Sequence, residues 1–221
     1  LVGVRFEDSN IEINQFTQAV FNTKKYNNFF PSAFLTYELD DFENVSLSYS
    51  KRISRPRSRF INPFSSLSSN INLFRGNPDL DPSLTDSYDL GYLKKWKKLT
   101  FNTSMYFNRT NDAVQFVRNT EIINNTLVLV TSPVNVGVED RYGFEFTLSY
   151  SAFKWWKLNG NFNFFRNQTK GDYTFVDLIG NPQTIDFSNT ALSWFARITS
   201  KVSLPLGVDW QTNGTYSAPQ N

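Results

Sequence analysis

The chain has 221 residues, carries 22 Lys and Arg against 20 Asp and Glu, and contains neither Cys nor His. A net charge of +2 spread along the chain excludes the clustered basic footprint of a nucleic-acid binder, and the missing His removes the usual general base and the commonest metal ligand. Aromatic residues make up 17% of the chain, dispersed among Asn, Ser and Thr at a mean hydropathy of -0.40, and no run approaches the roughly 20 apolar residues of a membrane helix.

In chain order, the sequence opens on LVGVRFED without a charged-plus-apolar leader, so an exported form of it is expected to begin upstream. Period-2 alternation then predicts one strand after another. Ala33, Leu35, Tyr37 and Leu39 share a face, and DDFEN at Asp40–Asn44 reads as a short turn. In NVSLSYSKRI, Val45, Leu47, Tyr49 and Ile53 lie opposite Asn44, Ser46, Ser48 and Ser50, with Lys51 alone breaking the apolar side. A long polar connector runs from Ser54 to Asp86. Tyr88, Leu90 and Tyr92 follow, then KKWKK at Lys94–Lys98, then Leu99, Phe101, Met105 and Phe107. RYGFEFTLSYS sets Tyr142, Phe144, Phe146, Leu148 and Tyr150 against Gly143, Glu145, Thr147, Ser149 and Ser151. AFKW at Ala152–Trp155 is another short connector before Trp156, Leu158, Phe162 and Phe164. Leu192, Trp194, Ala196, Ile198, Val202 and Leu204 alternate with Ser193, Phe195, Arg197, Thr199, Lys201 and Ser203, LPLG turns the chain, and Val208, Trp210 and Tyr216 resume the pattern before SAPQN, which reads as a loop.

These segments predict an all-β chain of about nine antiparallel strands. A soluble extracellular β-sandwich also alternates, one face meeting core and the other water, and stays open as an alternative binding module. Connector lengths favour an up-and-down transmembrane β-barrel, here a partial one: short and long connectors take turns, as when tight turns occupy one rim and extended loops the other. Several strands exceed the roughly 9–11 residues that cross a bilayer at a tilt. Trp96, Trp155 and Trp156 sit at short turns beside Lys94, Lys95, Lys97, Lys98, Lys154 and Lys157, which is the make-up of a membrane-interface girdle. Nine strands with one apolar face would leave two unpaired edges in hydrocarbon, so the chain is expected to be a piece of a larger barrel, truncated at both ends.

The stretch from Tyr49 to Gln115, with SKRISRP ending a strand, NPF at Asn62–Phe64, GNPDLDP at Gly76–Pro82, SYDLGY at Ser87–Tyr92 and YFNRTND, resembles the carboxyl-terminal barrel of TonB-dependent receptors of the outer membrane protein β-barrel family. RYGFEFTLSYS resembles a following strand of the same family. The resemblance implies a bacterial outer-membrane location and a barrel of about 22 strands around an amino-terminal plug. It also implies import of a solute such as a siderophore, glycan or peptide, powered by the TonB complex through parts absent from residues 1–221, with a surface lipoprotein as a further partner. Outer-membrane lipid and lipopolysaccharide would surround the wall. The plug domain is not in this sequence.

Within the long connector, Pro56, Pro63, Pro78 and Pro82 cannot donate ladder hydrogen bonds, and Gly76 with Asn77 permits a tight turn, so a shaped lid is expected. Arg55, Arg57 and Arg59 with Phe60 and Phe64 are the candidate ligand contacts, suited to an anionic or sugar-like solute through forked charge-assisted bonds and ring stacking. Bracing of the loop, or contact with lipopolysaccharide phosphates, is the alternative role. Asp79, Asp81 and Asp86 do not complete a calcium loop, so no metal or cofactor is expected. An outer-membrane barrel enzyme is the remaining alternative, but without His no catalytic residue can be named and no enzymatic activity is expected.

Overall fold

The computed structural model describes residues 1–15, 20–64, 66–67 and 71–219. The last two residues of the SAPQN tail and a few positions of the long connector lie outside them. The strands are β1 (Val2–Gln15), β2 (Val20–Asp40), β3 (Glu43–Ser54), β4 (Ser66–Leu67), β5 (Asn72–Phe74), β6 (Ser83–Lys95), β7 (Leu99–Asn111), β8 (Val114–Ile123), β9 (Thr126–Asn135), β10 (Val138–Phe153), β11 (Trp156–Lys170), β12 (Asp172–Val176), β13 (Pro182–Asp186), β14 (Asn189–Ser203) and β15 (Asp209–Ser217). One helical turn, α1 (Ser58–Ile61), follows β3. No helix among the described residues is long and apolar enough to cross a membrane.

Nine strands form one antiparallel sheet in the order β1-β2-β3-β6-β7-β10-β11-β14-β15, the expected number in the expected meander. The strand starting at Ser83 takes the last residues of the predicted Ser54–Asp86 connector into the ladder, where Ser83 pairs with Ser54 and Asp86 with Lys51. Tyrosines at positions 49 and 88 draw those residues in, because their rings lie on adjacent strands with centroids 5.0 Å apart.

Register turns the sequence alternation into two chemically distinct faces. Phe146 lies level with Thr103 and Phe162, Phe162 with Ala196, and Ala196 with Tyr216. One step along, Phe144 meets Met105 and Phe164, and the row continues through Leu90 and Leu47 to Leu35. The rings form a ladder: Phe101 to Phe146 6.2 Å, Phe146 to Phe162 5.3 Å, Phe162 to Trp194 5.8 Å and Trp194 to Tyr216 4.9 Å between centroids. No second layer among the described residues covers them. Leu35 and Met105 are each 65% exposed, which removes the stacked-sheet alternative, since a sandwich would bury this face.

The opposite face is polar and knit together. Asn163 donates its amide to Glu145 at 3.1 Å and accepts from the Tyr106 hydroxyl at 3.2 Å, and Asn161 donates to Thr147 at 3.1 Å. Asn163 is buried although it lies in the sheet's polar face, because Tyr106 and its neighbours stand over it.

The short turns lie side by side along one rim. Lys95 N–H donates to Phe42 O, Ser151 N–H to Lys98 O, and Ser203 N–H to Trp155 O, each at 2.7 Å, so each short turn is bonded to the next. Trp96 and Trp155 stand in these turns about half exposed, and Trp156 begins β11 and donates its indole N–H to Ser200 at 2.9 Å. Lys94 lies 5.6 Å from the Trp96 ring, and Phe153 and Trp155 stack at 5.3 Å. The long connectors all leave the other rim.

Candidate functional site

At the long-connector rim the chain folds instead of trailing. β8 and β9 make a hairpin closed by Asn124 and Asn125, both at positive φ (50° and 59°), the conformation that matches the right-handed twist of the strands and that Asn tolerates. β5 adds to β9 in parallel through Asn72↔Leu129, Leu73↔Val130 and Phe74↔Thr131, completing a four-stranded sheet with β4. Leu73, Val128 and Val130 form a small dry cluster on one side of it. Val117, Val134 and Val136 form another, covered by Tyr173, Phe175, Ile185 and Phe187 from the β12–β13 hairpin and the stretch after it.

GNPDLDP fastens the connector after β3 to this sheet. Asn77 receives Asp79 N–H at 3.0 Å through its side-chain oxygen and donates its amide to Pro133 O at 3.2 Å, while its backbone N–H donates to Phe60 O at 2.7 Å. The turn expected at Gly76 and Asn77 falls further on, at Pro78 and Asp79, where Leu80 N–H donates to Asn77 O at 3.3 Å. Gly76, however, is needed for a different reason than turning: a Cβ there would lie 2.3 Å from the Asn62 carbonyl oxygen, so the requirement is close approach to the backbone of the residue before Pro63. Pro82 is buried, and Asn135 holds the backbone of the residue before it, accepting from Asp81 N–H at 2.7 Å and donating to Asp81 O, while also donating to Asp112 O. From β2, Lys24 pairs with Asp81 at 2.9 Å.

Beneath this lid is a cavity of about 390 Å³ lined by Arg55, Pro56, Arg57, Phe60, Thr85, Thr110 and Glu139 among others. Thr85 and Thr110 share a hydrogen bond of 2.9 Å in its wall. Of the predicted contacts, Arg55, Arg57 and Phe60 converge here, while Arg59 and Phe64 do not line the cavity. Arg55 is already engaged: its guanidinium bonds Glu7 of β1 and reaches Ser9 at 3.4 Å, and the Glu7 carboxylate holds its pKa above the usual guanidinium range. Arg57 and Glu139 have no ion-pair partner among the described residues, so they are the cavity's free charges. Arg59 rests over the Phe74 ring at 4.5 Å, and the backbone N–H of Phe64 donates to the Asn62 side chain at 3.0 Å.

Residues that sequence reading missed extend the site. Phe60 packs edge-on to Phe116 at 5.3 Å and near Phe74 at 6.1 Å, and Arg75 makes a two-pronged contact with Glu121, both prongs 3.0 Å. The Asn124-Asn125 pair between two apolar runs was the available signal for the β8–β9 hairpin that carries Phe116 and Glu121; nothing local announced the parallel pairing of β5. The Arg75–Glu121 pair is about one-third exposed, so its worth is at the modest end for surface ion pairs.

The β12–β13 turn is closed by Asp177, whose carboxylate receives the backbone N–H groups of Asn181 and Ile179 and the Gln183 amide. Those bonds, the Asn181 N–H first and the Gln183 amide next, hold its pKa below the ordinary carboxylate value. A lowered carboxyl pKa means that this stabilisation is complete above the unfolded value of about 3.9 and is lost as pH falls through the folded one. Asp177→Ala is expected to raise amide hydrogen exchange at Ile179 and Asn181 several-fold at neutral pH while leaving β10 and β11 protected. Unchanged exchange at both amides would refute that role.

The profile of the outer membrane protein beta-barrel family matches residues 1–221. No curated protein matches the chain. Among solved structures, the copper transporter OprC is similar at a TM-score of 0.55 and 12% identity, over 96% of this chain and 38% of its own. The siderophore receptor PirA from Pseudomonas aeruginosa gives 0.53 and 12% over 99% and 48%, and the FrpB iron transporter from Neisseria meningitidis 0.52 and 12% over 93% and 36%. At such identity the likeness is one of fold, and the chain spans less than half the length of each.

Proposed function

We propose a function from one premise: this chain belongs to the outer membrane protein beta-barrel family, which places it in the bacterial outer membrane. Residues 1–221 form part of a larger barrel of the TonB-dependent receptor type, further strands of the same protein pairing with the free sides of β1 and β15. The polar face then lines the solute pathway, the apolar face meets lipid, and Trp96, Trp155 and Trp156 mark the periplasmic interface. A plug and a link to the TonB complex would lie elsewhere in the protein, and a surface lipoprotein is a fitting partner at the outer rim.

The observation that carries the reading is the ordered lid over a cavity on the polar side. A passive pore gains nothing from fixing Arg57, Phe60 and Glu139 there, whereas a receptor needs preformed polar groups beside an aromatic surface to grip its solute. Arg57 supplies forked donors for an anionic or hydroxyl-rich solute, Phe60 a stacking face, and Arg59 and Phe64 shape the surroundings.

The test uses cells making the full-length protein, with an anionic ferric chelate and a neutral oligosaccharide as probes. Accumulation of one probe is expected to stop when a protonophore collapses the inner-membrane gradient. Arg57→Ala with Phe60→Ala is expected to lower its binding about tenfold or more, from loss of one charge-assisted contact and one stacking contact. Accumulation of both probes that survives the protonophore would replace the receptor with a passive pore.

A further inference from the structure

Several charges around the lid cavity are already engaged. Glu7 takes Arg55, Lys24 takes Asp81 at 2.9 Å, and Asp140 takes Arg109 at 3.6 Å. Arg141, two residues from Glu139 on the same face of β10, lies over the Phe165 ring with its guanidinium 4.2 Å from the centroid, so it does not neutralise Glu139. What is left is one guanidinium and one carboxylate, Arg57 and Glu139, which line the same cavity and do not pair with each other.

The two charges reach the cavity from different elements. Arg57 follows β3, whereas Glu139 is fixed in β10, level with Thr110 of β7 and Thr169 of β11. Between β3 and β10 stand β6 and β7, and they carry the hydrogen-bonded hydroxyls of Thr85 and Thr110 that also line the space. A bare anion satisfies Arg57 and is repelled by Glu139, while an uncharged solute strips water from both charges without replacing it by an opposite one. Only a solute with both signs gains at each point. We propose that the cavity prefers a zwitterion of the amino-carboxylate class, its carboxylate held by Arg57, its ammonium donating to Glu139, and the polar groups between them facing Thr85 and Thr110. The assignment rests on the receptor reading and narrows it: Glu139 becomes the residue that separates a zwitterion from a plain anion in the same cavity.

A peptide tests this cleanly, because its two charged ends can be masked one at a time. The full-length protein in mild detergent would be titrated calorimetrically with a phenylalanine-centred tripeptide in three forms: both ends free, the amino end acetylated, and the carboxyl end amidated. The wild type is expected to bind the free form about tenfold more tightly than either masked form, the size of one charge-assisted contact. Glu139→Gln is expected to erase the difference between the free and acetylated forms while keeping that between the free and amidated forms, and Arg57→Gln to do the converse. Equal affinity of the wild type for free and acetylated peptide overturns the proposal whatever the variants do, as does binding of none of the three. A preference for the free over the acetylated form that persists in Glu139→Gln overturns the role of that carboxylate. None of these affinities depends on uptake, so accumulation that survives a protonophore would bring down the receptor reading separately.

Discussion

Arginine in place of Phe146 is expected to destabilise the membrane-inserted protein by about 2–4 kcal/mol, and arginine one residue on, at Thr147, by far less. The contrast follows from position. In β10 the apolar set runs from Tyr142 to Tyr150, a rise of roughly 21 Å for a strand tilted about 40°, close to the ~25 Å lipid-facing band of such walls. Phe146 is its midpoint, so a charge there has the longest way to reach either interface. It also forfeits the contacts with Phe162 and Phe101. Thr147 faces the polar side, where it only accepts a hydrogen bond from Asn161 that a longer polar residue can replace. Denaturant unfolding of the full-length protein in lipid vesicles measures both variants. Similar midpoints would mean that the two faces are assigned wrongly.

Gly137→Val is expected to cost roughly 2–6 kcal/mol and to loosen the whole long-connector rim. Gly137 has φ 58°, which a β-branched residue adopts only with strain, and a Cβ there would stand 1.7 Å from the Lys170 carbonyl oxygen. Gly171 lies against it, so the two glycines mark where the β8–β9 and β12–β13 hairpins leave the wall in contact. Strain of about 1–3 kcal/mol and overpacking of about 1–3 kcal/mol add, because the neighbour is backbone and cannot swing aside. Beside the pair is Val136, at the centre of the cluster capped by Tyr173 and Phe187. Hydrogen exchange should therefore quicken in β8, β9, β12 and β13 together, with the wall between β7 and β11 following only at its upper end. Gly180→Val, also at positive φ but with open space around it, serves as the comparison, since it carries the strain without the clash. Equal losses at both positions would show that packing at the glycine pair contributes nothing.

The wall was legible in the sequence because a strand with one face in lipid and one in a polar space records both environments in alternate residues. RYGFEFTLSYS needs no partner to be read that way, and the register only stacks its rings on those of β7 and β11. The rim was legible in composition but not in shape. Pro56, Pro78 and Pro82 announced a bent, non-ladder segment, yet the pairing of Asn72–Phe74 with Leu129–Thr131 joins residues more than fifty positions apart through short runs that carry no period of their own. Arg55 illustrates the same limit. Its spacing with Arg57 and Arg59 suggested three equivalent cations, whereas the fold gives one to Glu7, one to the Phe74 ring and leaves Arg57 to the cavity. Such a division depends on which remote strand passes each residue.

The alternation of connector lengths also has a kinetic consequence. β1 with β2, β2 with β3, β6 with β7, β10 with β11 and β14 with β15 are each joined by only a few residues. Closing those loops sacrifices little chain entropy, so the β1-β2-β3 meander and the three later pairs are the units that zip earliest, and each later joining of unit to unit must wait for a much larger loop to close. Assembly of the wall is thus biased toward ready-made staves of two or three strands added edge to edge, with the outer cap condensing last because it draws on segments from three successive gaps between them.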